Sequence, residues 1–298
     1  MTALTTQVEE ILSGIHRSVT DCYTQLDPTV QVNSEVHELA TGHTRPIILT
    51  EGQIIEKAAV LFTSSTGSSL PPAASERNPQ LAGSAFSAVS VSTIVHPRNP
   101  HIPTVHMNLR FFQVHVDPPH WHFGGGMDLT PYIPYKEDCE LWHRNASRAC
   151  GSDEVYRILK KQCDEYFYLP HRQEHRGIGG LFFDDWTTDG FQDSLSFIDR
   201  IGQCFVESYS AINNARKDQT WTEEEEEWLL YRRGRYAEFN LIYDRGTRYG
   251  IQSGRRIESV LASLPPRVKW IYQFSPTNDE LKSIESRLGE ALVPQEWC

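Results

Sequence analysis

The sequence has no long apolar run. No stretch of about 18 consecutive apolar residues occurs in its 298 residues, so a membrane-spanning helix is not expected. Residues 1–27 lack the basic and apolar regions of a secretory signal, and Glu9, Glu10 and Asp21 argue against a transit peptide. We therefore expect a water-soluble protein without membrane insertion, located by default in the cytoplasm.

Sequence motifs for metals, disulfides and nucleotides are also missing. The six cysteines are widely spaced with no CxxC pair, which argues against a disulfide framework or a zinc site. The chain has no Walker A sequence, no HExxH motif and no GxGxxG fingerprint in a βαβ setting. No organic cofactor is expected, and the cysteines should be reduced thiols that mostly serve packing.

The charge is unevenly distributed. Lys and Arg number 28 against 39 Asp and Glu, and the net charge of −11 disfavours nucleic acid as a partner. Between Arg232 and Lys269, however, eight arginines and one lysine stand against three acidic residues, a local net charge of +6. A basic segment on an acidic protein suits a small polyanionic ligand.

Apolar periodicity predicts helices packed on a sheet. A spacing of 3.6 residues marks residues 6–26 and recurs in stripes that begin at Val155, Leu195 and Leu281. Alternation predicts strands at residues 46–50, 57–63, 85–96, 104–116, 180–183, 236–244 and 268–274. Residues 71–79 are predicted to form a surface loop. This order lacks regular βαβ alternation, so we predict an α+β fold in which helices flank a large, mostly antiparallel sheet. Residues 1–298 should form a single domain, with 1–43 as an N-terminal helix and lead-in.

One predicted strand has a distinctly polar face. Residues two apart in a strand share a face, so His106, Asn108 and Arg110 lie together and Leu109 points to the opposite side. In the preceding strand, Ser92 and His96 share a face, and the short connection at 96–103 could pair the two strands. Neither strand contains Lys or Glu, which normally decorate solvated faces. A ligand site is favoured, and an ordinary water-exposed sheet face is the alternative.

A glycine-rich segment follows at residues 121–131. Its three consecutive glycines would let the backbone approach a ligand closely, and Asp128 stands just beyond them as a candidate reactive carboxylate. The alternative is an aspartate that caps a turn or a helix ahead of Leu129.

Arginines beside glycines occur at residues 231–236 and 253–259, an arrangement that suits bidentate carboxylate binding. Arg256 is the preferred carboxylate ligand, although part of this cluster could serve an interface or salt bridges instead.

Four histidines could in principle assemble a metal site, but their spacing gives no support for one, and hydrogen-bonded or solvent-facing histidines are the alternative. A histidine-ligated oxygenase nevertheless remains a competing hypothesis. These residues are His96, His106, His143 and His171.

Four segments read together resemble the oxygen-dependent coproporphyrinogen III oxidase family, from about Thr44 to Trp297. They are residues 92–101 (STIVHPRNPH), 121–131 (WHFGGGMDLTP), 176–185 (RGIGGLFFDD) and 232–245 (RRGRYAEFNLIYDR). The resemblance implies a flattened antiparallel sheet with helices on both faces, and a homodimer formed through residues 236–271.

The resemblance also implies an activity in heme and porphyrin biosynthesis. Coproporphyrinogen III would become protoporphyrinogen IX through two oxidative decarboxylations of propionates to vinyls, with O2 as co-substrate and with CO2 and H2O2 as products. No organic cofactor is implied, and a divalent metal is possible but not expected to be essential. A tetrapyrrole carrier without catalytic activity is a further alternative.

Site residues follow from the resemblance by position. His106 is the candidate proton donor, Asp128 is placed at the pyrrole nitrogens, and Arg110 acts in catalysis as well as binding. The implied substrate-binding residues are Ser92, Asn108, Leu109, Arg110, Arg176, Gly254, Arg255 and Arg256. Arg255 replaces a residue that is usually small, which leaves open which of the paired arginines binds carboxylate. The direction of any pKa shift at Asp128 is not fixed by the sequence, because burial and nearby arginines act oppositely.

Overall fold

The computed structural model describes residues 2–70, 79–252 and 256–298. Its helices are α1 (Ala3–Leu26), α2 (Lys136–Cys150), α3 (Asp153–Tyr166), α4 (Phe191–Arg216), α5 (Glu223–Glu238), α6 (Arg245–Gln252), α7 (Ile257–Val260) and α8 (Asp279–Ala291). Short 3-10 turns lie at Pro79–Leu81 and Leu261–Ser263, and a π-helical turn at Phe239–Tyr243. None of the helices in the described ranges is both long and apolar enough to cross a lipid bilayer. Apart from Pro79, the loop predicted at 71–79 lies outside the described residues.

The strands form one large antiparallel sheet and a small hairpin. They are β1 (Gln31–Ser34), β2 (His37–Leu39), β3 (Gly42–Thr50), β4 (Ile55–Gly67), β5 (Phe86–Pro97), β6 (Thr104–Val114), β7 (His120–Thr130), β8 (Tyr168–Leu169), β9 (Glu174–His175) and β10 (Gly179–Trp186). The eight-stranded sheet has the order β1-β3-β4-β5-β6-β7-β10, with β2 paired to β3, and β8 pairs with β9 separately. The predicted α+β class with a mostly antiparallel sheet is confirmed.

The two faces of the sheet carry different side chains, because successive strand residues point to opposite sides. On the apolar face, Leu109 and its neighbours on β6 are fully buried beneath α1 and α4, while α2 and α3 cover β10. On the polar face, α5 and the turns that follow it cover β4 and β5, where Tyr236 and Ala262 pack against Ala59 and Ile94. The polar sides of β6, β7 and β10 lie beside this cover, and Asn108 is only half-buried.

Two predicted strands are wrong. Residues 236–243 are helical, because α5 begins at a capping box between Thr222 and Glu225 and continues into the π-helical turn. The aromatic residues of this segment recur at helical spacing, at Tyr236, Phe239 and Tyr243. In a segment this short, periodicity alone does not distinguish a helix from a strand. Residues 268–274 form no strand and run alongside α5, where the backbone N–H of Lys269 donates to the carbonyl of Leu230 at 2.9 Å.

The glycine-rich segment contains an interior strand of the sheet that the sequence did not predict. β7 lies between β6 and β10, and its three glycines lower strand propensity enough to hide it from pattern analysis. A Cβ on Gly125 would lie 2.2 Å from the carbonyl oxygen of Asn108, and one on Gly126 would lie 2.2 Å from that of Leu181. These two glycines therefore permit close approach of neighbouring strands, and not the close approach of a ligand that the sequence pattern predicts.

We expect Gly125→Ala to destabilise the protein by about 1–3 kcal/mol or more, because the strand must shift to accommodate the methyl group. Gly125 also has a φ of 155°. The control is Gly289→Ala in α8, where a Cβ meets nothing within 4 Å and alanine favours the helix by up to about 1 kcal/mol. Urea denaturation of both variants measures the difference, and equal midpoints would contradict this explanation of the glycine.

Candidate active site

The centre of the polar face is a hydrogen-bonded pair formed by His106 and Asp128. The β6–β7 register places the two residues directly opposite each other. The Nδ1–H of His106 donates to Oδ1 of Asp128 at 2.8 Å. Asp128 is 2% exposed, whereas 23% of the His106 side chain remains accessible. The pair therefore joins a buried carboxylate to an imidazole that faces the open side.

A buried arginine holds the same carboxylate. Nη2 of Arg176 donates to Oδ1 and Oδ2 of Asp128 at 2.9 and 2.7 Å, and Nη1 donates to Oδ1 of Asn240 at 2.8 Å. The guanidinium lies over the rings of Phe167, Tyr236 and Phe239, at 4.1, 4.4 and 4.7 Å from their centroids. Arg176 is 3% exposed, and its role as a substrate-binding residue stays a prediction.

The charges around Asp128 decide its protonation. Burial raises the pKa of this carboxyl, but the Arg176 guanidinium and the hydrogen bond from His106 outweigh burial and hold the pKa below its ordinary value. Asp128 is therefore a carboxylate at neutral pH, able to accept hydrogen bonds. The structure thus fixes the direction of the pKa shift at Asp128, which the sequence left open.

The other predicted residues of the polar face lie on β5 and β6, next to β7. Ser92, Asn108 and Gly126 form one cross-strand row, and Arg110 stands opposite Gly124. Nη1 of Arg110 contacts Oδ1 of Asn108 at 3.4 Å. The convergence of Ser92, Asn108 and Arg110 on the face of His106 agrees with the strand alternation. Leu109 is different: its side chain belongs to the buried core on the opposite face, so only its backbone can reach a ligand here.

Arg245 joins this face without having been singled out from the sequence. Its Nη2 donates to Oδ2 of Asp184 at 2.7 Å, and Arg110 bonds to the other oxygen of the same carboxylate. The guanidinium of Arg245 stacks over Tyr166 and Phe182 at 4.8 and 5.4 Å. Its sequence signals were its places in the basic segment and at the end of the 232–245 motif, and neither points to Asp184, which is 61 residues away in the chain.

A family model described as Coproporphyrinogen III oxidase matches residues 7–297. The chain belongs to the coproporphyrinogen III oxidase family. It is accordingly an oxidoreductase of porphyrin biosynthesis that acts on coproporphyrinogen III, a tetrapyrrole. Within this family member, the buried carboxylate and the partly exposed imidazole and arginines form the candidate active site.

The four histidines considered as metal ligands do not converge in this oxidase. His96 is buried, with Nε2 donating to the carbonyl of Ser263 at 2.9 Å and Nδ1 at 3.2 Å from the Thr104 hydroxyl. Burial lowers its pKa well below the ordinary value. The Nε2 atom of His171 contacts Glu238 at 2.8 Å, outside the group of polar-face residues around Asp128.

His143 lies on the other side of the sheet, on α2. Its Nε2 donates to the carbonyl of Ile178 at 3.0 Å, and Nδ1 accepts from the hydroxyl of Tyr156 at 2.9 Å. Burial and the nearby charge of Lys160 lower its pKa to about 3. Across residues 2–70, 79–252 and 256–298, no three His, Cys, Asp or Glu side chains are grouped so as to hold a metal ion. The histidines therefore give the metal-oxygenase alternative no geometric support.

The proposed propionate segment is only partly described. Gly254 and Arg255 lie outside the described residues. Arg256 immediately precedes α7, and its exposed guanidinium bonds to Glu35 and His37 near the β2 edge of the sheet. The structure thus does not bring Arg256 to the His106–Asp128 pair, and its role as a carboxylate ligand stays a prediction.

A second charge network fixes the turn that covers Arg176. Oε1 of Glu238 accepts from Arg172 Nη2 at 2.6 Å and from Trp270 Nε1 at 3.0 Å, while Oε2 accepts from His171. Burial raises the pKa of Glu238, but these hydrogen bonds outweigh it and bring the pKa to about 2. The turn at Phe239–Tyr243 follows directly and supplies Asn240 to Arg176.

We expect Glu238→Gln to flatten the acid dependence of stability. A carboxyl whose folded-state pKa is depressed stabilises the fold above its unfolded pKa, about 4.3. That contribution is lost as the pH falls towards about 2. Denaturant midpoints measured through this window should fall less steeply for the variant than for wild type, whereas Glu285→Gln at an exposed site should behave as wild type. An unchanged slope would contradict the role given to Glu238.

Proposed function

We propose that this enzyme carries out the oxygen-dependent conversion of coproporphyrinogen III to protoporphyrinogen IX. Each of two steps converts a propionate side chain, O2 and a proton to a vinyl group, CO2 and H2O2, which balances atoms and electrons without another oxidant. The supporting observation is the ionised carboxylate of Asp128, held by Arg176 at the inner end of a polar face that also presents His106 and arginines.

Asp128 is proposed to bind the pyrrole N–H groups. A porphyrinogen is electron-rich, so the protein needs to supply positioning and polarisation more than a redox group. Because the pKa of Asp128 lies below its ordinary value, the carboxylate is better suited to accepting a hydrogen bond than to retaining a proton. A negative charge at this point stabilises positive charge that develops on the pyrrole as it is oxidised.

His106 is proposed to transfer the proton. Its Nδ1 is engaged by Asp128, which fixes the ring orientation and leaves Nε2 as the atom that exchanges a proton with substrate or peroxide. Ser92, Asn108 and the backbone of Leu109 lie beside it and are proposed to contact the macrocycle. Arg110 is proposed to anchor a propionate.

Residues 1–298 are proposed to act as one catalytic domain, needing no organic cofactor and no essential metal, and the cytoplasmic location stays a prediction.

A homodimer through residues 236–271 is also proposed. It is supported by the exposure there of Leu241, Ile242, Tyr249, Ile251, Ile257, Trp270 and Ile271. Light scattering decides: the proposal requires twice the 34.1 kDa chain mass in solution.

Oxygen uptake and CO2 release by the purified protein test the reaction itself. We expect equal amounts of O2 consumed and CO2 released from coproporphyrinogen III, before and after removal of divalent metals by a chelator. Loss of activity on chelation would favour the metal-dependent oxygenase. Tight binding of the porphyrinogen with no oxygen uptake would favour a non-catalytic carrier.

A further inference from the structure

Asp184 lies between two arginines that come from different elements of the fold. Its Oδ1 bonds to Nη2 of Arg110 on β6, and its Oδ2 accepts from Nη2 of Arg245, the first residue of α6, at 2.7 Å. The exposed fractions of the three side chains are 41% for Arg110, 26% for Asp184 and 51% for Arg245. This cluster is therefore accessible from the polar face, unlike the buried Arg176–Asp128 pair.

Both guanidinium groups are held in place by more than Asp184. Arg245 stacks over Tyr166 and Phe182, and its backbone N–H donates to the Tyr166 hydroxyl at 3.2 Å. Arg110 packs against Gly124, where an added Cβ would lie 2.9 Å from Nε and Nη2 of the arginine. Gly124 thus provides the space that the Arg110 guanidinium occupies, a different role from that of Gly125 and Gly126.

The cluster has spare charge and spare donors. Two guanidinium groups face one carboxylate, and each guanidinium carries five N–H donors, of which Asp184 engages those of a single nitrogen. Carboxylates pair with arginine bidentately through such forks. Ion pairs this exposed are also weak, so a ligand carboxylate can compete with or add to the existing contacts.

The position suits the edge of a ligand centred on Asp128. Arg110 stands opposite Gly124, four residues before Asp128 on β7 and on the same face. Four strand residues correspond to about 13 Å, a separation that a macrocycle and one of its carboxylate side chains can bridge. A tetrapyrrole whose nitrogens meet Asp128 would therefore direct a peripheral carboxylate towards the arginines.

We propose that Arg110 and Arg245 form a two-arginine clamp for one carboxylate of the tetracarboxylate substrate. Asp184 is the residue that positions the two guanidinium groups of this clamp. This inference rests on the proposed function for the substrate site and extends it to Arg245, Asp184 and Gly124. Asp184 does not touch the reacting atoms. Its carboxylate sets the distance and orientation of the two guanidinium groups.

Binding of coproporphyrin III, the stable oxidised tetracarboxylate, tests the clamp in the full chain by fluorescence titration. We expect Arg245→Gln to weaken binding about tenfold, the loss typical of a hydrogen bond to a charged group. We expect Asp184→Asn to weaken it several-fold, Asp184→Glu to restore most of the affinity, and Gly124→Ala to weaken it by displacing Arg110. The matched control is Glu207→Gln, which breaks an exposed ion pair with Arg148 and should change nothing.

Kinetics with coproporphyrinogen III separate positioning from a structural effect. The clamp predicts that Asp184→Asn raises KM and leaves kcat within about twofold, because uniform binding is lost. Unchanged or tighter porphyrin binding by Asp184→Asn would overturn the positioning role, since Asp184 would then only compete with the ligand. If the wild-type enzyme is active and Arg245→Gln binds coproporphyrin III as tightly as wild type, the clamp is overturned while the proposed function stands. A wild-type protein that consumes no oxygen would refute the proposed function instead.

Discussion

Replacement of Asp128 by Asn is expected to lower kcat for coproporphyrinogen III by about 10²- to 10⁴-fold, the usual cost of removing a positioned acid or base. The amide is nearly the same size, so the pocket shape is kept while the negative charge is lost. Its NH2 group also cannot accept from Arg176, which donates to both oxygens of the native carboxylate. Oxygen uptake at saturating substrate measures the effect.

Two controls make this result specific to the site. Asp218→Asn removes an exposed carboxylate at the end of α4 and should leave kcat unchanged. The folded fraction of Asp128→Asn must be measured in parallel, because the variant leaves the buried charge of Arg176 without its counter-ion. A properly folded Asp128→Asn variant with near-normal kcat would remove Asp128 from the mechanism.

Replacement of Arg176 by Met is expected to destabilise the protein by about 3–5 kcal/mol, the cost of leaving one partner of a buried ion pair unpaired. Methionine keeps contact with the surrounding rings but supplies no hydrogen bond to Asp128 or Asn240. The exposed control Arg148→Met breaks the pair with Glu207 and should cost at most about 1 kcal/mol. Chemical denaturation measures both, and a loss of less than about 1 kcal/mol for Arg176→Met would show that the pair contributes little.

The double variant Arg176→Met with Asp128→Asn separates the pair energy from the two single losses. Neither residue is then left as an unpaired buried charge, so the double variant should be less destabilised than the sum of the singles by about 0.5–3 kcal/mol. In Arg176→Met alone, the pKa of Asp128 should rise, because the largest influence that opposes burial is gone. As the pH is lowered, this variant should therefore lose the Asp128 carboxylate at a higher pH than wild type does.

The local pattern of the chain determined much of the fold and part of the site. Alternation in residues 104–114 separated His106, Asn108 and Arg110 from the buried Leu109, since a strand side chain can point to only one of two faces. The short connection after residue 97 was enough to predict the pairing that places Ser92 opposite Asn108. The amphipathic period likewise located α1, because burial of one helix face leaves a mark every three or four residues.

Tertiary structure alone decided which charges meet. Asp128 lies 48 residues from Arg176, and Asp184 lies 61 residues from Arg245, so no local pattern distinguishes the buried arginine from the accessible one. The glycines of β7 show strand character only once β6 and β10 stand on either side of them. The sign of the pKa shift at Asp128 depends on burial and on its partners together, and both exist only in the folded chain.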